Sequence, residues 1–320
     1  MAIKLVVEPG RTVTWEEFGK YPRRSIAIDG YCSGAPRFSS RRVLLNINHH
    51  ENVDRIATRS SCAQAMHLLK MGIYDAFRVD GRPCATLYVN DCDQDVVLAT
   101  YTLMHPNHVD RPRLKMLTQL EDLLDMSAGL YPIKKRWHLL KMLTWINEPY
   151  THARASGALY GMDAAEQRAL IETMHRRVRE TLYGRGKEAE PDIGFDVIED
   201  FGDWKVVREK GLHARIGLGQ AGVKAFVSYR PLADGRAHCI IARRSKFVRA
   251  FPLSIMFPKL NAAEQDASGE QRMWGGSLDT VIGSPLKDEE HKRPAGTILP
   301  LSRIIAIVKE SCDERAEQDK

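Results

Sequence analysis

Two adjacent histidines, His49 and His50, follow the apolar run at 43–47 with only Asn48 intervening. Neutral imidazole is the commonest metal-ligating side chain. A carboxylate, Asp29, closes an earlier apolar run at 25–29, and Asp91, Asp93 and Asp95 follow a third at 85–89. Carboxylate oxygens suit hard divalent cations such as magnesium or manganese. Each acid also has an ordinary role open to it: Asp29 in an Asx-turn, Asp93 as a helix N-cap, Asp95 as a first-turn acid beside the helix dipole. Capping accounts for one or two acids at 91–95 but not for three, so a ligand is expected among Asp91 and Asp93. His49 and His50 have their own plain alternative, as loop histidines.

These groups need elements to hold them. The runs at 25–29, 43–47 and 85–89 are short, apolar and of strand length. Ser60 is a candidate N-cap for a helix carrying Cys62, Met66 and Leu69, which Gly72 ends. A second helix carries Val96, Ala99 and Leu103 and stops before Pro106. Strand, loop and helix in that order predict a parallel sheet, and in such sheets ligands bind beyond the carboxyl ends of the strands. Leu114, Leu117, Leu120 and Leu124 form the apolar stripe of a helix at 113–127. Its Asp122 and Asp125 share one face beside Glu121, and either stay solvated or reach the same cleft. Further helices are predicted at 134–146 and 163–183, the latter opened by the capping box Asp163-Ala164-Ala165-Glu166. His105, His108, His138, His152 and His175 show no ligand spacing.

Residues 187–194 mix glycine, proline and charge and read as a linker. Beyond them, strands at 195–198, 204–207, 223–229 and 237–242 alternate, with Asp234-Gly235 as a hairpin signal, and Leu253, Phe257 and Leu260 suggest a helix. The fold class expected is α/β: an N-terminal parallel-sheet domain at 1–186 with helices on its faces, and a smaller mixed α/β domain at 195–312. Residues 1–24 are expected as an extended lead-in, and the tail after Glu310 is expected to fray.

The whole chain bounds this picture. With 320 residues, 43% hydrophobic and 28% charged, it suits a soluble two-domain protein. No window is apolar for a membrane span's length, and the first residues lack a signal peptide's apolar core. Six scattered cysteines without a C-x-x-C pair argue against a zinc ribbon and for reduced thiols in a cytoplasm. The net charge of +6 hides arginine clusters at Arg23-Arg24, Arg41-Arg42 and Arg243-Arg244. These are either solvated surface or phosphate contacts.

The stretch from 43 to 67 resembles the signature of the DHH phosphoesterase superfamily. In that family an Asp-His-His triplet ends a strand and a Ser-Ser-Thr-Ala-like helix start follows. Here Asn48-His49-His50 and Ser60-Ser61-Cys62-Ala63 stand at those places, with asparagine where the family has aspartate. The second half resembles the DHH-associated domain. Arg243-Arg244-Ser245 stands for its Ser-x-Arg-Ser-like element, and Gly275-Gly276-Ser277 with Gly283-Ser284 for its glycine-rich loop, without the loop's histidine. The resemblance implies manganese or magnesium held by His49, Asp29 and Asp91 or Asp93, with His49, His50 and Asp93 catalytic. Arg243, Arg244, Ser245, Gly275, Gly276 and Ser277 would bind substrate, a nucleotide or short oligonucleotide. Glycine amides and an arginine fork suit phosphate in general. The alternative is a family member that has lost turnover and binds a nucleotide, a phosphorylated ligand or a protein. Oligomeric state, a homodimer included, is left open.

Overall fold

The structure, a computed structural model, describes residues 3–133, 137–269, 273–286 and 294–320. It divides into two compact units, Met1–Asp125 with Lys135–Pro191, and Met126–Lys134 with Asp192–Lys320. The architecture is mixed α/β in both.

The first unit holds, in chain order, β1 (Lys4–Val7), α1 (Trp15–Phe18), β2 (Ser25–Ile28), β3 (Arg37–Ser39), β4 (Leu44–Ile47), α2 (Ser61–Lys70), α3 (Ile73–Ala76), β5 (Arg78–Val79), β6 (Arg82–Pro83), β7 (Thr86–Val89), α4 (Gln94–Met104), α5 (Pro112–Asp125), α6 (Trp137–Ala155) and α7 (Ala164–Leu182). Its main sheet runs β1-β7-β2-β4-β3, parallel throughout except for β3. The expected lead-in therefore contains a strand: the apolar run Leu5, Val6, Val7 pairs along β7. Side chains alternate across the sheet. One face carries Ala27, Leu44 and Tyr88, packed under Phe18, Tyr31 and Tyr21. The other carries Ile26, Ile28, Leu45, Ile47, Leu87 and Val89, all buried, and α2 packs on β4 on its way to α4 and α5.

The strands end together. Ile28 is level with Ile47, and Ala27 with Tyr88. Asp29, Asn48 and Asn90 thus leave three adjacent parallel strands at one height. That register is what gathers the site.

Local signals hold the helices. The Asp163 side chain accepts from the amides of Ala165 and Glu166, while Glu166 reaches back to the Asp163 amide, as the capping box requires. The helix expected at 134–146 begins at Trp137 and runs on to Ala155, with 134–136 outside the described residues. Beneath α4, His175 of α7 is buried, its Nε2 3.0 Å from Thr100 Oγ1 and 3.1 Å from the Val97 carbonyl.

Burial, helped by the nearby His105, pushes the His175 pKa down from 6.5 to about 3. Below pH 6.5 the unfolded chain takes up a proton that the folded chain refuses, so stability falls as the pH drops. The expected loss is ~1.4 kcal/mol per pH unit, present from the ordinary histidine pKa down to the depressed one. Urea denaturation of the wild type and of His175→Gln, at several pH values, checks this. The variant's slope should be shallower by one proton, and equal slopes would remove His175 as the cause.

The second unit holds β8 (Phe195–Asp200), β9 (Lys205–Glu209), α8 (Ala214–Gln220), β10 (Ala225–Pro231), β11 (Ala237–Arg243), α9 (Leu253–Ser268), β12 (Gly275–Ser277), β13 (Val281–Gly283) and α10 (Leu301–Gln318). Its sheet runs β12-β13-β11-β10-β9-β8. Trp204, Phe251, Met256, Trp274 and Ile304 fill one core. Leu130 joins Val207, Leu218 and Phe226 in another, which explains why 126–134 belongs here. The tail departs from its expected fraying, for α10 is helical to Gln318. Lys259 pairs with Glu310 at 2.8 Å and Glu314 at 2.9 Å, and Ile304, Ile307, Val308 and Ser311 are buried. No described helix is long and apolar enough to cross a membrane.

Candidate metal centre

Asp29 leaves β2 in the left-handed region (φ 54°), a backbone conformation that aspartate tolerates better than most residues. Gly30 follows it at φ 84°, a backbone conformation that favours glycine. Asp29 Oδ1 sits 2.8 Å from His50 Nε2, 3.2 Å from His49 Nε2 and within reach of the Ser61 hydroxyl at 3.0 Å. His49 is fully buried. Its Nε2 faces three carboxylate oxygens, Asp29 Oδ1, Asp125 Oδ2 at 3.1 Å and Asp95 Oδ2 at 3.6 Å, yet among the described residues none is aligned for a good hydrogen bond. Asp29, His49 and His50 form one group whose ligand atoms could converge on a metal ion, and His49, Asp95 and Asp125 form another.

The predicted site residues fall in different places. Asp29, His49 and His50 come together. Asp91 and Asp93 stand at the end of β7 but serve the backbone: Asp91 accepts from the Cys92 amide at 2.6 Å, and Asp93 caps α4 through the Val96 amide at 2.9 Å. The acids that join Asp29 at His49 are instead Asp95, from the first turn of α4, and Asp125, the last residue of α5. Asp122 also points inward. It is buried, pairs with Arg59 and accepts from the Ser60 amide at 2.9 Å, so the acidic face of α5 is not a solvated one.

The start of α2 explains this geometry. Ser60 occupies the N-cap position but its side chain makes no capping bond. Asp95 does that work from α4, accepting from the Ser61 amide at 2.6 Å and the Cys62 amide at 2.8 Å, while Asp122 does it from α5. The orphan N–H groups of a helix N-terminus draw acids in this way. Spacing within α2 alone carries no sign that its caps come from two other helices.

Asn48, where the resemblance would put an aspartate, points away from His49. Its amide donates to the carbonyls of Gly34 at 2.9 Å and Cys32 at 3.3 Å, and its oxygen accepts from the His50 amide at 3.0 Å. An aspartate there would set a carboxylate against two carbonyls. The asparagine fixes the 31–36 loop and the turn that aims His50.

Crowded acids in a buried cleft shift one another. Burial, then the charges of Asp29 and Asp125, pushes Asp95 up to about 7. Burial and the charges of Asp29, Asp91 and Asp95 hold Asp93 well above the usual carboxylate range, and Glu121 is raised in the same manner by burial and by Asp125. Burial also raises Asp91, against the pull of the Cys92 amide and Arg154. Burial opposes the charged Asp29, but the His50 and His49 rings outweigh it and keep that carboxyl well below its ordinary value. For His50 the same pairing overrides burial and lifts the ring to about 9. A site with this excess of carboxylate, and with a buried imidazole nitrogen aimed into it without a well-aligned hydrogen bond among the described residues, fits a divalent cation.

The second unit's predicted contacts read differently. Arg243 is buried, and its guanidinium donates to the carbonyls of Asp279 at 2.9 Å, Leu278 at 3.0 Å, Phe251 at 3.1 Å and Val248 at 3.2 Å. It ties the β12–β13 turn to the segment before α9, leaving Arg244 and Ser245, both part-exposed, as the available polar groups of that motif. The expected phosphate loop at Gly275, Gly276 and Ser277 is strand β12, antiparallel to β13. Gly276 is required by close backbone approach: at φ 127°, a Cβ would lie 2.3 Å from the Val281 carbonyl oxygen. No family model matches the chain, and no curated protein matches it either.

Proposed function

We propose that the first unit is a divalent-metal centre for hydrolysis of a phosphate ester, with a nucleotide or short oligonucleotide as substrate, in the manner of the DHH phosphoesterases. One observation carries the reading. His49 Nε2, fully buried and without a well-aligned hydrogen bond among the described residues, faces carboxylates from the end of β2 and from α4 and α5 at the carboxyl ends of parallel strands. Asp29, His49, Asp95 and Asp125 would hold the ion, with Asp91 and Asp93 at its rim. When bound, manganese or magnesium supplies a Lewis acid for phosphoryl oxygens and lowers the pKa of water.

The chain's own groups do the rest. His50 is the part-exposed cation of the cleft, its side chain 41% accessible, and Asp29 keeps it charged at neutral pH. That imidazolium is suited to a phosphate oxygen. Burial and the neighbouring Asp29, Asp91 and Asp95 carboxylates raise Asp93 well above its ordinary range, which favours its protonated form and makes it the candidate acid for a leaving oxygen. A second reading, a structural acidic centre without turnover, draws support from Asp95, whose two oxygens both accept amides of α2.

Release of nitrophenol from bis(p-nitrophenyl) phosphate, and cleavage of a dinucleotide, by the manganese-loaded protein separate the two. Turnover should fall about 100-fold or more in Asp93→Asn, a general acid's usual share. A wild type that binds manganese yet cleaves neither substrate would leave the structural reading.

A further inference from the structure

Arg55 lies in the loop between β4 and α2, and it is 6% exposed. Its NH2 nitrogen is 3.1 Å from His49 Nδ1 and 3.4 Å from Asp125 Oδ2. A guanidinium has only donors and does not lose its proton in proteins. An N–H directed at Nδ1 therefore needs that nitrogen's lone pair, and the neutral ring's single proton then sits on Nε2. A metal bound at Nε2 needs the opposite arrangement, with the lone pair at Nε2 and the proton at Nδ1. In that tautomer Arg55 and His49 would set two N–H groups against each other at hydrogen-bond distance. The same guanidinium places a full positive charge against Asp125, one of the carboxylates that would face the ion.

We infer that Arg55 is an internal counter-ion of this centre, which must withdraw from His49 Nδ1 and Asp125 for a divalent cation to bind at His49 Nε2. This rests on the metal-centre reading above and adds to it a conformational requirement. Without the ion, Arg55 offsets carboxylate charge and holds the loop at 50–59 against the site. Once the ion arrives, it takes over that charge and the loop gives up its anchor. Asp122 does not replace Asp125 as the anchor, since it is already paired with Arg59 and the Ser60 amide.

Manganese affinity by isothermal titration, on the whole chain, tests this with wild type, Arg55→Met, Arg55→Gln and His49→Ala. Removing the competing charge should tighten binding about tenfold or more in both Arg55 variants. Binding unchanged or weakened in either folded Arg55 variant would overturn the inference while sparing the metal centre, because the wild type would still bind. Binding by none of the four proteins would sink both. Hydrogen exchange on the wild type supplies a test without substitution. Amides at 50–59 should exchange faster with manganese than without it, and equal or slower exchange would show that Arg55 keeps its place.

Discussion

Arg243→Met is expected to destabilise the second unit by about 3–5 kcal/mol. The guanidinium is the shared donor for the Asp279, Leu278, Phe251 and Val248 carbonyls. Methionine fills similar space but leaves those acceptors without it, and each orphaned buried acceptor costs ~1–3 kcal/mol, less where water reaches it. Arg243→Lys should recover only part of the loss, since a point ammonium cannot span carbonyls from two segments as a planar fork does. Arg244, part-exposed beside it, should cost within about 0.5 kcal/mol when changed to methionine, as surface substitutions usually do. Urea unfolding of the three variants measures this. Equal stability of Arg243→Met and wild type would return Arg243 to the pool of groups free to meet a ligand.

The contrast between these two arginines marks where sequence reading reached its limit. Arg243-Arg244-Ser245 forms one motif in the chain, yet the β12–β13 turn consumes the first arginine and not the second. Gly275-Gly276 reads equally as a phosphate loop or as a close backbone approach, and only the pairing with β13 decides for the approach. In the first unit, the strand ends were legible because short apolar runs and their terminating polar residues are local signals. Asp29, His49 and His50 were singled out for that reason, and they lie together. Asp95 was harder, because its position follows from the unmet N–H groups of α2, and helix-to-helix capping leaves no spacing in the sequence; Asp122 caps the same helix from α5, and Asp125 ends that helix beside His49. Arg55 was hidden in a polar loop with nothing regular about it. Asn48 stood out as a departure from the DHH triplet that the stretch resembles, but its use was invisible until the carbonyls of Gly34 and Cys32 were seen beneath it.

The second large effect concerns His49 itself. Alanine at this position removes the buried nitrogen that three carboxylates surround and leaves Asp29, Asp95 and Asp125 with no imidazole between them. Even residues that only support a ligand contribute 10–100-fold to metal affinity, so losing the ligand should cost about 100-fold or more. Fold should survive better than function here. Asp29 keeps His50 and the Ser61 hydroxyl, and Asp95 keeps two amides of α2.

The most direct measurement is therefore the manganese content of the purified, manganese-loaded protein after removal of free ion, for wild type and for His49→Ala, with circular dichroism to confirm that both are folded. The account predicts one or two ions per chain in the wild type and a loss of them in the variant. Wild type without bound manganese, or a folded His49→Ala protein that retains the full complement, would contradict it.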